Sequence, residues 1–136
     1  MRIVLCRANE DAIITDVENH YETSSRLVGG LIECVYPFDD TVVLVCNDEG
    51  KLNGMPFNRY LRYDNGVPYE AIMGDFFIVG DNLEGDFIDL TEAQAEKYKK
   101  MFLHPDERTH EHLEEARWVY MPLSDEDFNK YMDLFL

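Results

Sequence analysis

Between Thr41 and Arg59 the chain reads TVVLVCNDEGKLNGMPFNR, and the opening of that stretch constrains the fold more than any other. Val42 to Cys46 is an unbroken apolar run in which only Leu44 lacks a β-branch or a thiol, a composition that predicts a fully buried strand rather than a half-exposed one. Asn47-Asp48-Glu49-Gly50 stops the run. Asn and Asp satisfy local backbone groups there, and Gly accepts positive φ without steric cost. Beyond the turn, Lys51, Asn58 and Arg59 form the densest set of side chains able to hold an anion or a carboxylate.

The chain has 136 residues, enough for a single domain that buries roughly two-thirds of its unfolded surface. Hydrophobic residues at 46% and aromatics at 12% argue against disorder. Apolar runs stay well short of the roughly 20 residues that span a bilayer. The first residues, MRIVLCR, carry charge where a secretory segment would be apolar. The expectation is a soluble, cytoplasmic protein. Cys6, Cys34 and Cys46 each lie in a strand-like apolar run without CxxC spacing, which predicts buried free thiols and neither a disulfide framework nor a metal site.

Twenty-eight acids face twelve Lys and Arg, a formal net charge of −16. Nucleic acid and anionic membranes would be repelled over a screening length of about 8 to 10 Å. A basic protein, including one that itself holds nucleic acid, would be drawn in. The plainer alternative is that acidity only keeps a small protein soluble. The charge is not confined to a tail: residues 1–80 carry thirteen acids and six bases, and residues 81–136 carry fifteen and six.

Along the chain, strands are expected at Arg2 to Arg7, Ala12 to Thr15, Leu31 to Tyr36 and Thr41 to Cys46, the last two as a hairpin across Pro37 and Asp39-Asp40. Asp16 to Val28 reads as a helix with Val17, Tyr21, Leu27 and Val28 on one face, stopped by Gly29-Gly30. Pro56 to Arg62 reads as a short helix with Pro56 in its first position, broken by Asp64-Asn65-Gly66. Gly74-Asp75 leads into a buried strand at Phe76 to Gly80, and Asp86 to Leu90 into an edge strand. Thr91 and Gln94 form a capping box for a helix running to about Phe102. Its core face holds Leu90, Ala95, Tyr98, Met101 and Phe102, and Lys97, Lys99 and Lys100 suit its negative C-terminal pole. Asp106 to Val119 is expected to be partly helical, and Ser124 opens a last helix whose stripe is Phe128, Tyr131, Met132 and Phe135. Strands first and helices later predict an α+β domain: a largely antiparallel sheet of about four to five strands with helices packed on it, one or two of them C-terminal.

No catalytic constellation assembles from these residues. His110, His112, Glu114 and Glu115 invite a metal, but positions two apart on a helix face different directions. Asp39-Asp40 and Asp48-Glu49 read as turn residues, since calcium-loop spacing is absent. Gly50-Lys51 lacks the rest of a phosphate loop, GxSxG is missing, and burial in a strand raises the thiol pKa of Cys34 and Cys46. No cofactor is implied, and the expectation is a protein without enzymatic activity. Glu33, inside an apolar strand, either points outward by alternation or needs Lys51 or Arg59 as a partner.

LVGGLIE at Leu27 to Glu33, DEGKLNGMPFNR at Asp48 to Arg59 and GDFFIVG at Gly74 to Gly80 together resemble the family catalogued as domain of unknown function 3846. The resemblance covers about residues 1–90, leaving 91–136 as an acidic helical part. It places Gly29, Gly30, Glu33, Gly50, Lys51, Asn58, Arg59, Gly74 and Asp75 at motif positions. It also implies an origin in Firmicutes, their phages or conjugative elements, near antirestriction genes, and no assigned activity. Two expectations follow. In the first, the chain binds a basic protein and imitates the charge of nucleic acid through Asp81, Glu84, Asp86, Asp106, Glu107, Glu111, Glu114, Glu115, Asp125, Glu126 and Asp127. In the second, Lys51, Asn58 and Arg59 hold an anionic or nucleotide-like ligand beside Glu33 and Asp75, with Gly29, Gly30, Gly50 and Gly74 as structural positions.

Overall fold

The apolar run is strand β4 (Val42–Asn47), and its first four residues are fully buried in the computed structural model, which describes residues 1–107. Its neighbours explain the lack of alternation. β4 pairs antiparallel with β3 (Ile32–Val35) on one side and with β7 (Phe76–Asp81) on the other. β7 pairs in turn with β1 (Arg2–Cys6), and β1 with the edge strand β2 (Ile13–Asp16), giving the order β2-β1-β7-β4-β3. The short strand β8 (Phe87–Ile88) lies alongside the end of β7. All these pairings are antiparallel, and each strand of this six-stranded sheet falls where the sequence predicts one.

The central strands are covered on both faces. Leu44, Phe76 and Ile78 share one apolar cluster with helix α2 (Glu92–Met101), through Ala95, Tyr98 and Phe102. Val43, Val45, Phe77 and Val79 form the opposite cluster with Val28 of helix α1 (Tyr21–Val28). Burying the four apolar residues of β4 contributes up to about 6–12 kcal/mol, an order of magnitude above an exposed ion pair at about 0–1 kcal/mol.

Both helices end as their sequences require, with two differences on their faces. Gly29 takes φ 79 after α1 and its N–H returns to the Ser25 carbonyl, a left-handed cap in which a side chain would be strained. The helix starts at Tyr21 rather than Asp16, because Asp16 pairs with Arg2 in the sheet, and Tyr21 stands exposed instead of joining the core face. In α2 the capping box is complete, Thr91 Oγ1 accepting from the Gln94 N–H and Gln94 Oε1 from the Thr91 N–H. Met101, expected in the core, is 49% exposed, since Tyr98 and Phe102 already fill that face. Tyr98 donates to Asp40 Oδ2 at 2.7 Å, tying α2 to the β3–β4 loop.

The helix expected over Pro56 to Arg62 is instead strand β5 (Phe57–Arg62), paired with β6 (Pro68–Met73) as a separate two-stranded hairpin. Asp64-Asn65-Gly66 is its turn, closed by the Tyr63 N–H on the Val67 carbonyl at 2.9 Å. Leu61 and Ile72 carry this hairpin onto the same face of the main sheet as α2. The Asp106 to Val119 helix beyond residue 107, the final stripe of Phe128, Tyr131, Met132 and Phe135, and His110, His112, Glu111, Glu114, Glu115, Asp125, Glu126 and Asp127 lie outside the described residues.

Candidate functional site

The segment Asp48 to Arg59 splits in two. Its last two residues enter the interior of the protein. The register of β5 on β6 slips between Phe57 and Arg59, and such a slip breaks the alternation of faces, so that two consecutive polar side chains are both fully buried. Asn58 Nδ2 donates to the carbonyls of Cys6 at 2.8 Å and Gly74 at 2.9 Å. Arg59 spreads its guanidinium over the backbone carbonyls of two segments: Arg7 at 3.1 Å and Glu10 at 2.8 Å in the β1–β2 loop, and Phe102 at 2.9 and 3.1 Å after α2, with Asn58 Oδ1 beside it. The carbonyl at the C-terminal end of α2 presents the negative pole of the helix to that cation. Burial lowers the Arg59 pKa, and the nearby Cys6, Asp106 and Asp11 act in the opposite sense. Neither residue is available to a ligand. The anion-binding cluster of Lys51, Asn58 and Arg59 therefore does not form, because a guanidinium saturated by main-chain acceptors has no donor to offer.

Asp75 is also engaged elsewhere, its Oδ1 accepting from the Ala8 N–H at 2.8 Å. The glycines of the resemblance have packing reasons. A Cβ on Gly50 would stand 2.7 Å from the Met73 carbonyl oxygen, one on Gly74 2.7 Å from Met55 Sδ, and one on Gly30 3.0 Å from Asn47 Nδ2.

The first half of the segment has a different setting. Asn47, buried, donates from Nδ2 to the Val28 carbonyl at 3.1 Å and accepts the Glu49 N–H on Oδ1 at 2.8 Å, which pins the turn after β4 against α1. That turn closes one end of a groove of about 600 Å³ between β3–β4 and the β5–β6 hairpin. Its floor and walls are apolar, including Val35, Leu44, Leu61, Tyr69 and Ile72. Its rim carries Glu33, Asp48, Glu49, Glu70 and Lys51. Lys51 is ion-paired with Glu70 across the groove. Glu33 is exposed, the outward alternative of the two that the sequence allows.

Cys46 sits directly across from Glu33 in the β3–β4 register, and its thiol is pushed up to about 12, first by burial and then by the charge of Glu33, with Cys34, Asp48 and Glu70 adding to it. Cys34 is raised too, by burial, then Asp81, then Glu33. All three cysteines are free thiols, Cys6 buried and Cys34 and Cys46 partly exposed. Of the five residues expected around a ligand, the structure brings Glu33 and Lys51 together and leaves Asn58, Arg59 and Asp75 in the scaffold. Sequence reasoning missed Glu70 and Tyr69 as groove residues, and treated Asp48 and Glu49 as turn residues alone. The Asp-Asn-Gly hairpin turn was the signal that would have found β6.

The acids expected on a partner-binding face divide similarly. Asp81, Glu84 and Asp86 share the turn after β7: Asp81 Oδ1 accepts the Leu83 N–H at 3.0 Å, Asp86 Oδ2 accepts from Asn82 at 3.1 Å, and Glu84 is exposed at the tip. Asp106 does not belong to an open acidic face. It accepts the Tyr60 N–H at 2.9 Å and pairs with Arg62 at 2.9 Å, capping the edge of β5. Glu107 is exposed. Among the described residues no helix is long and apolar enough to cross a membrane, and no group of three or more His, Cys, Asp or Glu is placed to hold a metal ion.

No curated protein and no solved structure matches the chain. The family model for DUF3846, a domain of unknown function, matches residues 1–103. That span runs past Thr91 and takes in α2, so the helix is part of the family domain rather than of an appended tail, as its packing through Tyr98 and Phe102 and its tie to Arg59 require. With three quarters of its length and its whole described core inside the match, the chain belongs to the DUF3846 family.

Proposed function

We infer that the protein is a non-enzymatic binding module that engages a basic protein through its surplus of carboxylates. A nucleic-acid-binding enzyme is the partner class that such charge suits, as in an anti-defence or antirestriction protein of a mobile genetic element. The observation that carries this reading is that Glu33, Asp48 and Glu49 are exposed on the lining of one groove, with no ion pair to their carboxylates among the described residues. Clustered like charges cost stability through mutual repulsion, and a cationic partner removes that cost. Glu84 is a further exposed carboxylate, at the tip of the β7–β8 turn beside the other end of β4, and the net charge of −16 supplies the long-range attraction.

The test is to retain proteins from a bacterial extract on the immobilised full chain at low salt and to elute with rising salt. The expected result is a basic protein whose retention weakens steeply with ionic strength and is competed by duplex DNA. Retention insensitive to salt, or retention of neutral and acidic proteins only, would contradict the reading.

A further inference from the structure

We propose that the groove between β3–β4 and the β5–β6 hairpin is the docking site for a cationic, amphipathic segment of a partner protein. Its apolar side chains seat on Val35, Tyr36 and Leu52, and its Lys or Arg side chains meet Glu33, Asp48 and Glu49. This rests on the acidic-module reading and narrows it to one place and one class of ligand.

Shape gives the first argument. A groove of about 600 Å³ lies within the range of about 300–1,000 Å³ typical of pockets that enclose a ligand, room for two or three apolar side chains. Two large apolar residues on its lining stand in solvent toward opposite ends of β3–β4: Tyr36, 64% exposed, and Leu52, 83% exposed. They extend the apolar floor outward, which a segment longer than the groove would cover.

Charge gives the second. Among the described residues, four carboxylates and one ammonium line the rim, and the ammonium of Lys51 is already paired with Glu70. An anion would be repelled. A neutral ligand would strip water from Glu33, Asp48 and Glu49 and return nothing. A purely hydrophilic cation would satisfy the rim and leave the exposed Tyr36 and Leu52 in water. Only a ligand with both characters uses the whole surface.

The experiment is an NMR titration of the full chain with three synthetic peptides: one alternating Leu with Lys, one replacing Leu by Ser at equal charge, and one replacing Lys by Glu. The Leu/Lys peptide is expected to shift the amides of Val35, Cys46, Glu49 and Tyr69 and to bind at least about tenfold more tightly than the Ser/Lys peptide. The double variant Glu33→Lys, Glu49→Lys should weaken it about tenfold or more. The control Glu92→Lys, Glu96→Lys on α2, with the same change of net charge, should weaken it by less than about threefold. Circular dichroism confirms that both variants are folded. If cationic peptides bind but their shifts lie on α2 or the 81–86 turn and both variants lose equally, the groove inference is overturned and the acidic-module reading stands. If neither cationic peptide binds at low salt, both fall. Equal response to the Leu/Glu peptide, or groove shifts that follow protein concentration alone, would assign the groove to an uncharged ligand or a second copy and overturn the proposal.

Discussion

Asn58 and Arg59 on one side, and Glu33, Asp48 and Glu49 on the other, sit within or beside one contiguous motif, yet they experience opposite environments. The buried pair has lost its water and recovered its hydrogen bonds chiefly from backbone carbonyls, those of Cys6, Arg7, Glu10, Gly74 and Phe102. The rim carboxylates keep their water and recover nothing from cations among the described residues. Buried polar groups are kept because removing one strands its partners, whereas exposed like charges with no cation paired to them among the described residues are poorly explained by stability. The first arrangement belongs to the scaffold and the second is free to serve a partner.

The largest expected effect would break the scaffold side. Arg59→Met takes the donor from the carbonyls of Arg7, Glu10 and Phe102, the last of them buried, and should lower unfolding free energy by about 3–5 kcal/mol in urea. Arg59→Lys should recover little, because an ammonium cannot reproduce the planar fork. Asn58→Ala removes two hydrogen bonds to Cys6 and Gly74 and should cost about 2–3 kcal/mol by the same measurement. Gly50→Ala sets a methyl against the Met73 carbonyl, a backbone neighbour that yields only if the turn shifts, and should cost about 1–3 kcal/mol. It should also move the groove amides more than those of α2.

Smaller effects sharpen the boundary. The carboxyl of Asp40 is held below the ordinary range chiefly by the Tyr98 hydroxyl, with Gln94, the Thr41 N–H and Lys97 adding to it against a partial desolvation. A depressed carboxyl contributes stability above its unfolded pKa and loses it as pH falls through the folded one. Tyr98→Phe should therefore cost about 1 kcal/mol at neutral pH, and the gap to the parent should close on acidification below the carboxylate range. Smallest in stability is Glu33→Gln, expected within about 0.5 kcal/mol of the parent. It should nevertheless lower the Cys46 thiol from about 12, since it removes the largest charge acting on it. Alkylation of Cys46 followed by peptide mass spectrometry should then set in at lower pH.

The main sheet was legible because its signals are local: Val42 to Val45 without alternation, Gly29 closing α1, and Thr91 with Gln94 opening α2. The β5–β6 hairpin was not. Pro56 followed by Phe57, Tyr60 and Leu61 satisfies a helical start and helical spacing, and only pairing with a distant segment turns it into a strand. That one error displaced the site, because Leu61, Tyr69, Glu70 and Ile72 form the groove only when the hairpin folds over β4. The fate of Arg59 was illegible for a related reason, since its acceptors are main-chain carbonyls more than forty residues away, and a carbonyl leaves no trace in residue identity.

Unfolding of the Glu33→Lys, Glu49→Lys variant by urea across a salt series tests most directly whether the rim is charged for a partner. Reversing carboxylates that have no paired cation among the described residues relieves repulsion, so the midpoint should rise above that of the parent at low salt and converge on it as salt increases. A midpoint that falls at low salt would mean that these carboxylates already hold the fold together, and would contradict the account.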